Sequence, residues 1–251
     1  MKKFLLISNI VTLSLLIFIG LHYHIPTKIY EKLTTENNIP KDTVRKAVAE
    51  LNCSYSLTSY DFHFQQECDT PKIIMFGNSI VKHGKWTELL NRNDVINRGI
   101  AGDNLPCMCE RLTYLKGKNA DIWFIEGGIN DLPMNTPQSI LERYIEIVEF
   151  VKSENAIPVI NLVFYLSPKV GEKFSWRSDY KSINNLVAEL NVMLVDYATK
   201  NNIEYIDLNS IIADNDNVLK DEFTTDGIHL NENGYKEWTK LISKVLIKNK
   251  I

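Results

Sequence analysis

Residues 72–81 read Lys-Ile-Ile-Met-Phe-Gly-Asn-Ser-Ile-Val. The apolar run Ile73–Phe76 has no polar face, and Gly77-Asn78-Ser79 ends it abruptly. A short apolar run closed by turn residues reads as a strand buried on both faces. Four further runs follow the same pattern: Val95–Asn97, Ile122–Ile125, Ile157–Val163 and Ile203–Ile206. Between them the apolar period lengthens to that of a helix. Ile140, Leu141, Tyr144, Ile147, Val148 and Val151 form one stripe, with Thr136 and Pro137 as cap and first-turn proline. Ile183, Leu186, Val187, Leu190, Leu194 and Tyr197 form a second, and Tyr235, Trp238, Leu241, Ile242 and Val245, led by Asn231, a third. Strands alternating with helices predict a three-layer α/β domain over residues 71–251 with a five-stranded parallel sheet.

The rest of the 251-residue chain is of a different kind. Lys2 and Lys3 precede Phe4–Leu21, an uncharged, Leu- and Ile-rich run with few polar residues, Asn9, Thr12 and Ser14 among them. Its length of about 18 residues is what a bilayer core requires. No small-x-small cleavage pattern follows it, which favours an uncleaved anchor over residues 1–26; a cleaved signal peptide and a buried core helix are the alternatives. With the two lysines retained inside, the remainder lies outside the cytoplasmic membrane, or is secreted if the segment is cleaved. Residues 27–70 read as a stalk or accessory segment, in which Val44, Ala47, Val48 and Leu51 mark a short amphipathic helix after Pro40 and Asp42. Of the four cysteines, Cys53 and Cys68 bracket a Tyr-, Phe- and Ser-rich stretch that a disulfide would close; four reduced thiols packed as small hydrophobes are the alternative. Cys107-x-Cys109 has no second pair at zinc-ligand spacing. A formal net charge of −3, with no stripe dense in Lys or Arg, argues against a nucleic-acid partner.

Ligands of an open parallel sheet bind beyond the carboxyl ends of its strands. Gly77-Asn78-Ser79 follows the first strand, Asn97-Arg-Gly-Ile-Ala-Gly-Asp103 the second, Gly127-Gly-Ile-Asn130-Asp131 the third, and Asp226-Gly-Ile-His229 precedes the last helix. Together they supply a hydroxyl, a glycine-lined turn, a carboxamide and a carboxylate–imidazole pair. Acyl transfer needs those parts. A serine must have a general base, the base an orienting acceptor, and the tetrahedral intermediate a set of aimed donors. Singly, each block also reads as ordinary structure: a helix cap, a tight turn, a surface pair. Their joint occurrence at four strand ends is what points to chemistry.

The four blocks, Ile74–Ser79, Asn97–Asp103, Gly128–Asp131 and Asp226-x-x-His229, resemble those of the SGNH (GDSL-type) hydrolases. These are serine esterases and acyltransferases built on a flavodoxin-like sheet. The resemblance spans about residues 72–247. It implies Ser79 as nucleophile, His229 as base and Asp226 as its acid. It also implies an oxyanion hole from the Ser79 and Gly102 amides and the Asn130 side chain, with no metal or cofactor. The family usually has aspartate where this chain has Asn78, which keeps an acceptor and gains a donor.

Phe164–Trp176, too long for a tight connection, is a candidate pocket wall, in which Tyr165, Phe174 and Trp176 could stack on a sugar ring or cover a short acyl chain, Tyr165 and Trp176 being the candidate substrate contacts. A small acyl group, acetyl above all, on an ester or a cell-envelope glycan suits this setting. Transfer to a sugar hydroxyl by the same three residues is the second reading, and an inactive, tethered glycan-binding module the third. A flavin or nucleotide binder is disfavoured, because Gly77-Asn78-Ser79-Ile80-Val81 lacks the glycines and the Lys-Ser pair of a phosphate cradle.

Overall fold

The five apolar runs become five parallel strands: β1 Ile73–Gly77, β2 Val95–Gly99, β3 Ile122–Glu126, β4 Ile157–Asn161 and β5 Glu204–Ile206. The computed structural model describes residue 68 and residues 70–251, except 133, 175 and 176. The strands pair in the order β2-β1-β3-β4-β5. Every residue of β1 and β3 is buried, as expected for central strands covered on both faces.

Among the described residues eight α-helical segments accompany the strands: α1 Ser79–Lys82, α2 Trp86–Leu90, α3 Leu105–Glu110, α4 Pro137–Ser153, α5 Val170–Lys173, α6 Tyr180–Lys200, α7 Asn209–Ile212 and α8 Glu232–Asn249. Parallel crossovers are right-handed, so the reversal of strand order at β1 sends successive helices to opposite faces. Helix α4 packs between α3 and α6, while α8 packs on α2. The loops after β1 and β3 therefore part at the switch point, where a crevice opens.

The apolar stripes fall where their period placed them. Ile140, Tyr144, Ile147, Val148 and Val151 of α4 are buried, as are Ile183, Val187, Leu190 and Leu194 of α6. Each such aliphatic side chain contributes about 1.5–3 kcal/mol on burial. Thr136 accepts from the Ser139 amide at the start of α4, and Asn231 from the Asn233 and Gly234 amides at the start of α8.

Helix α8 also fixes the short α1. The Tyr235 hydroxyl donates to the Ile80 carbonyl, and Trp238 packs edge-on against Trp86, whose Nε1 donates to the Val81 carbonyl at 2.8 Å.

One strand is shorter than its apolar run. The fourth run reaches Val163, but β4 ends at Asn161 because β5 offers only three residues to pair with. Beyond it, side-chain amides replace the ladder. Asn191 of α6 both accepts from and donates to the Val163 backbone at 2.8 Å, and Asn184 does the same for Leu166 at 2.8 and 3.0 Å.

The Cys53–Cys68 bridge does not form. Cys68 is a free thiol packed against the hydrophobic core, whereas Cys107, at the start of α3, is disulfide-bonded. Closeness in sequence suggested the pairing; the fold instead commits Cys68 to apolar packing. Cys53 lies outside the described residues. The anchor expected at Phe4–Leu21 and the stalk to residue 67 also lie outside them; among the described residues no helix is long and apolar enough to cross a membrane.

Candidate active site

The turn after β1 is held from several sides. Asn78 caps α1, its Oδ1 accepting from the Ile80 amide at 2.8 Å, and so starts the helix at Ser79. The Gly77 carbonyl accepts from the Ile100 amide at 3.0 Å and from Arg111 Nη2 at 2.8 Å. Arg111 is fully buried, lies over the Phe76 ring and pairs with the equally buried Asp103 at 2.7 Å. On the other flank Asn97 Nδ2 donates to the Val81, Lys82 and Gly84 carbonyls, closing the end of α1. The first two sequence blocks are thereby locked together.

Asp226-Gly-Ile-His229 forms a second compact turn. Thr224 Oγ1 accepts from the Gly227 amide at 2.9 Å and donates to the His229 carbonyl at 2.8 Å. Gly227 has φ +87°, and a side chain there would also strike the Val170 amide of α5. The Asp226 carboxylate accepts through Oδ1 from the His229 amide at 2.9 Å and the Ile228 amide at 3.2 Å. Its Oδ2 meets His229 Nδ1 at 2.8 Å. On the far side of the ring His229 Nε2 meets Ser79 Oγ at 2.9 Å. Asp226, His229 and Ser79 thus form one unbroken hydrogen-bonded series, in which Ser79 is only 7% exposed.

Lys173 Nζ adds a second bond to Asp226 Oδ2, at 3.2 Å. Burial on its own would raise the Asp226 carboxyl. The His229 and Lys173 interactions outweigh it and hold the group at about 2, so it is ionised at neutral pH. Two rings flank the imidazole: His83 with centroids 5.0 Å apart and Phe174 at 6.5 Å. The His83 imidazole is pushed down by burial, then by His229 and by the Lys82 and Lys173 cations.

The third block joins the second. Asn130 Nδ2 donates to the Asp103 carbonyl at 2.9 Å, beside Gly102, which has φ +78° and open space where a side chain would stand. Asp131 lies buried behind it and accepts the Leu105 amide at the start of α3; burial pushes its carboxyl up to about 7. Hydrogen bonds thus connect all four blocks, with Ser79 and its helix at the centre.

The model matching residues 75–237 is that of the GDSL-like lipase/acylhydrolase family. The chain belongs to the GDSL-like lipase/acylhydrolase family. Membership makes it an SGNH-type carboxylic-ester hydrolase. Among solved structures it is similar to a GDSL-like lipase from Bacteroides thetaiotaomicron, with TM-score 0.64 and 19% identity over 79% of this chain and 98% of that one. It is also similar to the inhibitor-bound aryl esterase of M. smegmatis, at 0.55 and 15% over 71% and 99%. An acetyl xylan esterase matches at 0.53 and 19% over 69% and 98%. At such identities the likeness is one of fold. No curated protein matches the sequence.

The substrate contacts expected from the long connection after β4 fall differently. Tyr165 is nearly buried; its amide donates to Asn209 Oδ1, and burial, then Asp207, pushes its phenol up. Those neighbours belong to the segment that follows β5. Trp176 lies outside the described residues. The residues of that connection which do reach the site are Lys173, Phe174 and Arg177, whose Nη2 donates to Asn130 Oδ1 at 3.0 Å. Phe174 was among the expected wall residues, whereas Lys173 and Arg177 were missed, and so was Glu126. It ends β3, is wholly buried, and faces Asn78 Nδ2 at 3.5 Å, a long contact. Only the length of the connection, and a lone Glu closing an apolar run, could have drawn attention to these residues.

Proposed function

We propose that the chain hydrolyses esters of small acyl groups through acylation of Ser79. The observation that carries this reading is the series Asp226–His229–Ser79, at 2.8 and 2.9 Å. His229 Nε2 takes the Ser79 proton as Oγ bonds to the ester carbon. The oxyanion meets the Ser79 and Gly102 amides and Asn130 Nδ2. When the intermediate collapses, the ester C–O bond breaks, and His229 returns the proton to the departing alcohol oxygen. Water then repeats the sequence, losing its proton to His229 as it attacks the acyl carbon, and the carboxylic acid leaves as Ser79 regains its hydrogen. Asp226, ionised throughout, orients the ring and balances the imidazolium.

A small, polar ester such as an acetylated sugar is the favoured substrate. Its support is the polar side chains beside the Asp226–His229 pair, His83 with its ring 5.0 Å from that of His229 and Lys173 bonded to Asp226, which suit hydroxyl-rich groups better than a fatty chain. A neighbour in fold that is an acetyl xylan esterase agrees. The Lys2-Lys3 start and the Phe4–Leu21 run support a membrane-anchored chain acting outside the cytoplasmic membrane on envelope glycans. A disulfide at Cys107 suits such an oxidising compartment. In that setting a sugar hydroxyl can replace water as the acyl acceptor.

The test is p-nitrophenyl acetate hydrolysis by the full chain beside Ser79→Ala. Turnover lost in a folded variant supports the reading. Equal turnover in both sinks it, as does none in well-folded wild type.

A further inference from the structure

A carboxamide serves an oxyanion with only one of its ends. Nδ2 carries two donors, and Oδ1 only lone pairs. Turned by half a rotation, Asn130 would present its oxygen to the negative charge it is meant to stabilise, so something must fix its orientation. One Nδ2 hydrogen goes to the Asp103 carbonyl at 2.9 Å, which leaves the second for an oxyanion. That bond already disfavours the flipped amide but leaves Oδ1 without a donor to hold it. The Arg177 guanidinium directs it: Nη2 donates to Asn130 Oδ1 and Nη1 to the Ile129 carbonyl, both at 3.0 Å. A guanidinium has five donors and no acceptor, so it tolerates only the carboxamide oxygen on its side.

From this geometry we infer that Arg177 is a positioning residue, locking Asn130 in the donor orientation and polarising its amide toward the oxyanion. The inference rests on the proposed Ser79 mechanism. The cation is 1% exposed, so little water screens it. Burial pushes the guanidinium down only to about 10, and it stays charged at neutral pH. Drawing electron density toward Oδ1 strengthens the remaining Nδ2–H as a donor.

The placement of Arg177 is itself built. It lies in the connection from β4 to α6, which docks on the Asp226 turn through the Ser167 amide to the Gly227 carbonyl at 2.9 Å. The same connection sends Lys173 to Asp226 and Phe174 to His229, and the Arg177 amide donates to the Phe174 carbonyl at 2.8 Å. One segment thus braces the acid at one end of the machinery and the oxyanion donor at the other.

The experiment is a double-mutant cycle on the full chain, with p-nitrophenyl acetate as substrate and circular dichroism as the check on folding. Asn130→Ala should lower kcat by about 10²–10³. Arg177→Gln should lower kcat by about 10–10² with KM within about twofold, a misplaced donor costing the transition state rather than binding. In the Asn130→Ala background Arg177→Gln should cost almost nothing more, because the group it positions is gone. Arg177→Lys keeps the charge but cannot make the forked pair of bonds, and should lose kcat in the same way. If the glutamine variant does not fold, the lysine variant completes the cycle. Losses that multiply in the double variant, or kcat unchanged by either Arg177 substitution, overturn the positioning role. Ser79→Ala run alongside separates the two levels. Its loss of turnover with multiplicative Arg177 and Asn130 effects overturns the positioning role alone, whereas its retention of turnover overturns both.

Discussion

Glu126→Gln should make the protein more stable at pH 8 while changing little at pH 5. Glu126 closes β3 with no exposed surface, and its Oε2 has no hydrogen-bond partner among the described residues. Burial raises the carboxyl from an ordinary 4.5 to about 8, against a smaller opposing effect of the Asn78 amide. Between those two pH values the unfolded chain has released this proton and the native chain still holds it. The unfolded state binds fewer protons, so stability falls as pH rises, by up to about 1.4 kcal/mol per pH unit. From pH 5 to pH 8 the loss amounts to about 4 kcal/mol, a large part of the roughly 5–15 kcal/mol that holds a typical domain folded. Above about pH 8 both states are ionised and the loss levels off.

Glutamine keeps the shape and an N–H where the protonated acid has O–H, so at pH 5 the two proteins should differ little. Urea unfolding at pH 5, 6, 7 and 8 measures the difference directly. Asp131, raised to about 7 by burial, gives both proteins a shared slope below that pH and cancels in the comparison. The gap should widen steadily in favour of the variant. A gap that stays constant across the range would refute the buried, protonated carboxyl. Asn78→Asp probes the same pair from the other side. The new carboxylate would retain the Glu126 proton to still higher pH, and the stability loss should continue beyond pH 8.

Two other perturbations separate chemistry from scaffold. Asp226→Asn preserves the shape of the turn but deprives the imidazole of its ionised acceptor; kcat on p-nitrophenyl acetate should fall by about 10³–10⁴ with little change in the urea midpoint. Arg111→Met removes the buried ion pair to Asp103, and should cost about 3–5 kcal/mol in urea unfolding. Any loss of turnover in the folded fraction of that variant would come from the freed Gly77 carbonyl rather than from a reacting group.

What the sequence made legible is what short-range periodicity and local motifs encode. Ile73–Phe76 had to be a covered strand because it offers no polar face, and Thr136-Pro137 had to open a helix because of what each residue does to the backbone. Ser79, Asn130, Asp226 and His229 could be picked out because strand ends are where an open sheet gathers ligands. Their companions could not, since each acts through a contact that closes over a long stretch of chain. Arg111 reaches back to Gly77, Lys173 forward to Asp226, Arg177 back to Asn130, and Glu126 back to Asn78. In sequence each is only a charged residue, for which a solvated surface is the default reading. The fold inverts that default for Arg111, Arg177 and Glu126 by burying them. A buried charge must be paired or neutralised, which ties each of them to a specific neighbour. The same rule bears on Asn78: beside a glutamate that no water reaches, an amide adds no second buried carboxyl for which a proton would have to be found. The departure from the family's usual aspartate and the buried glutamate at the end of β3 are therefore two halves of one local solution.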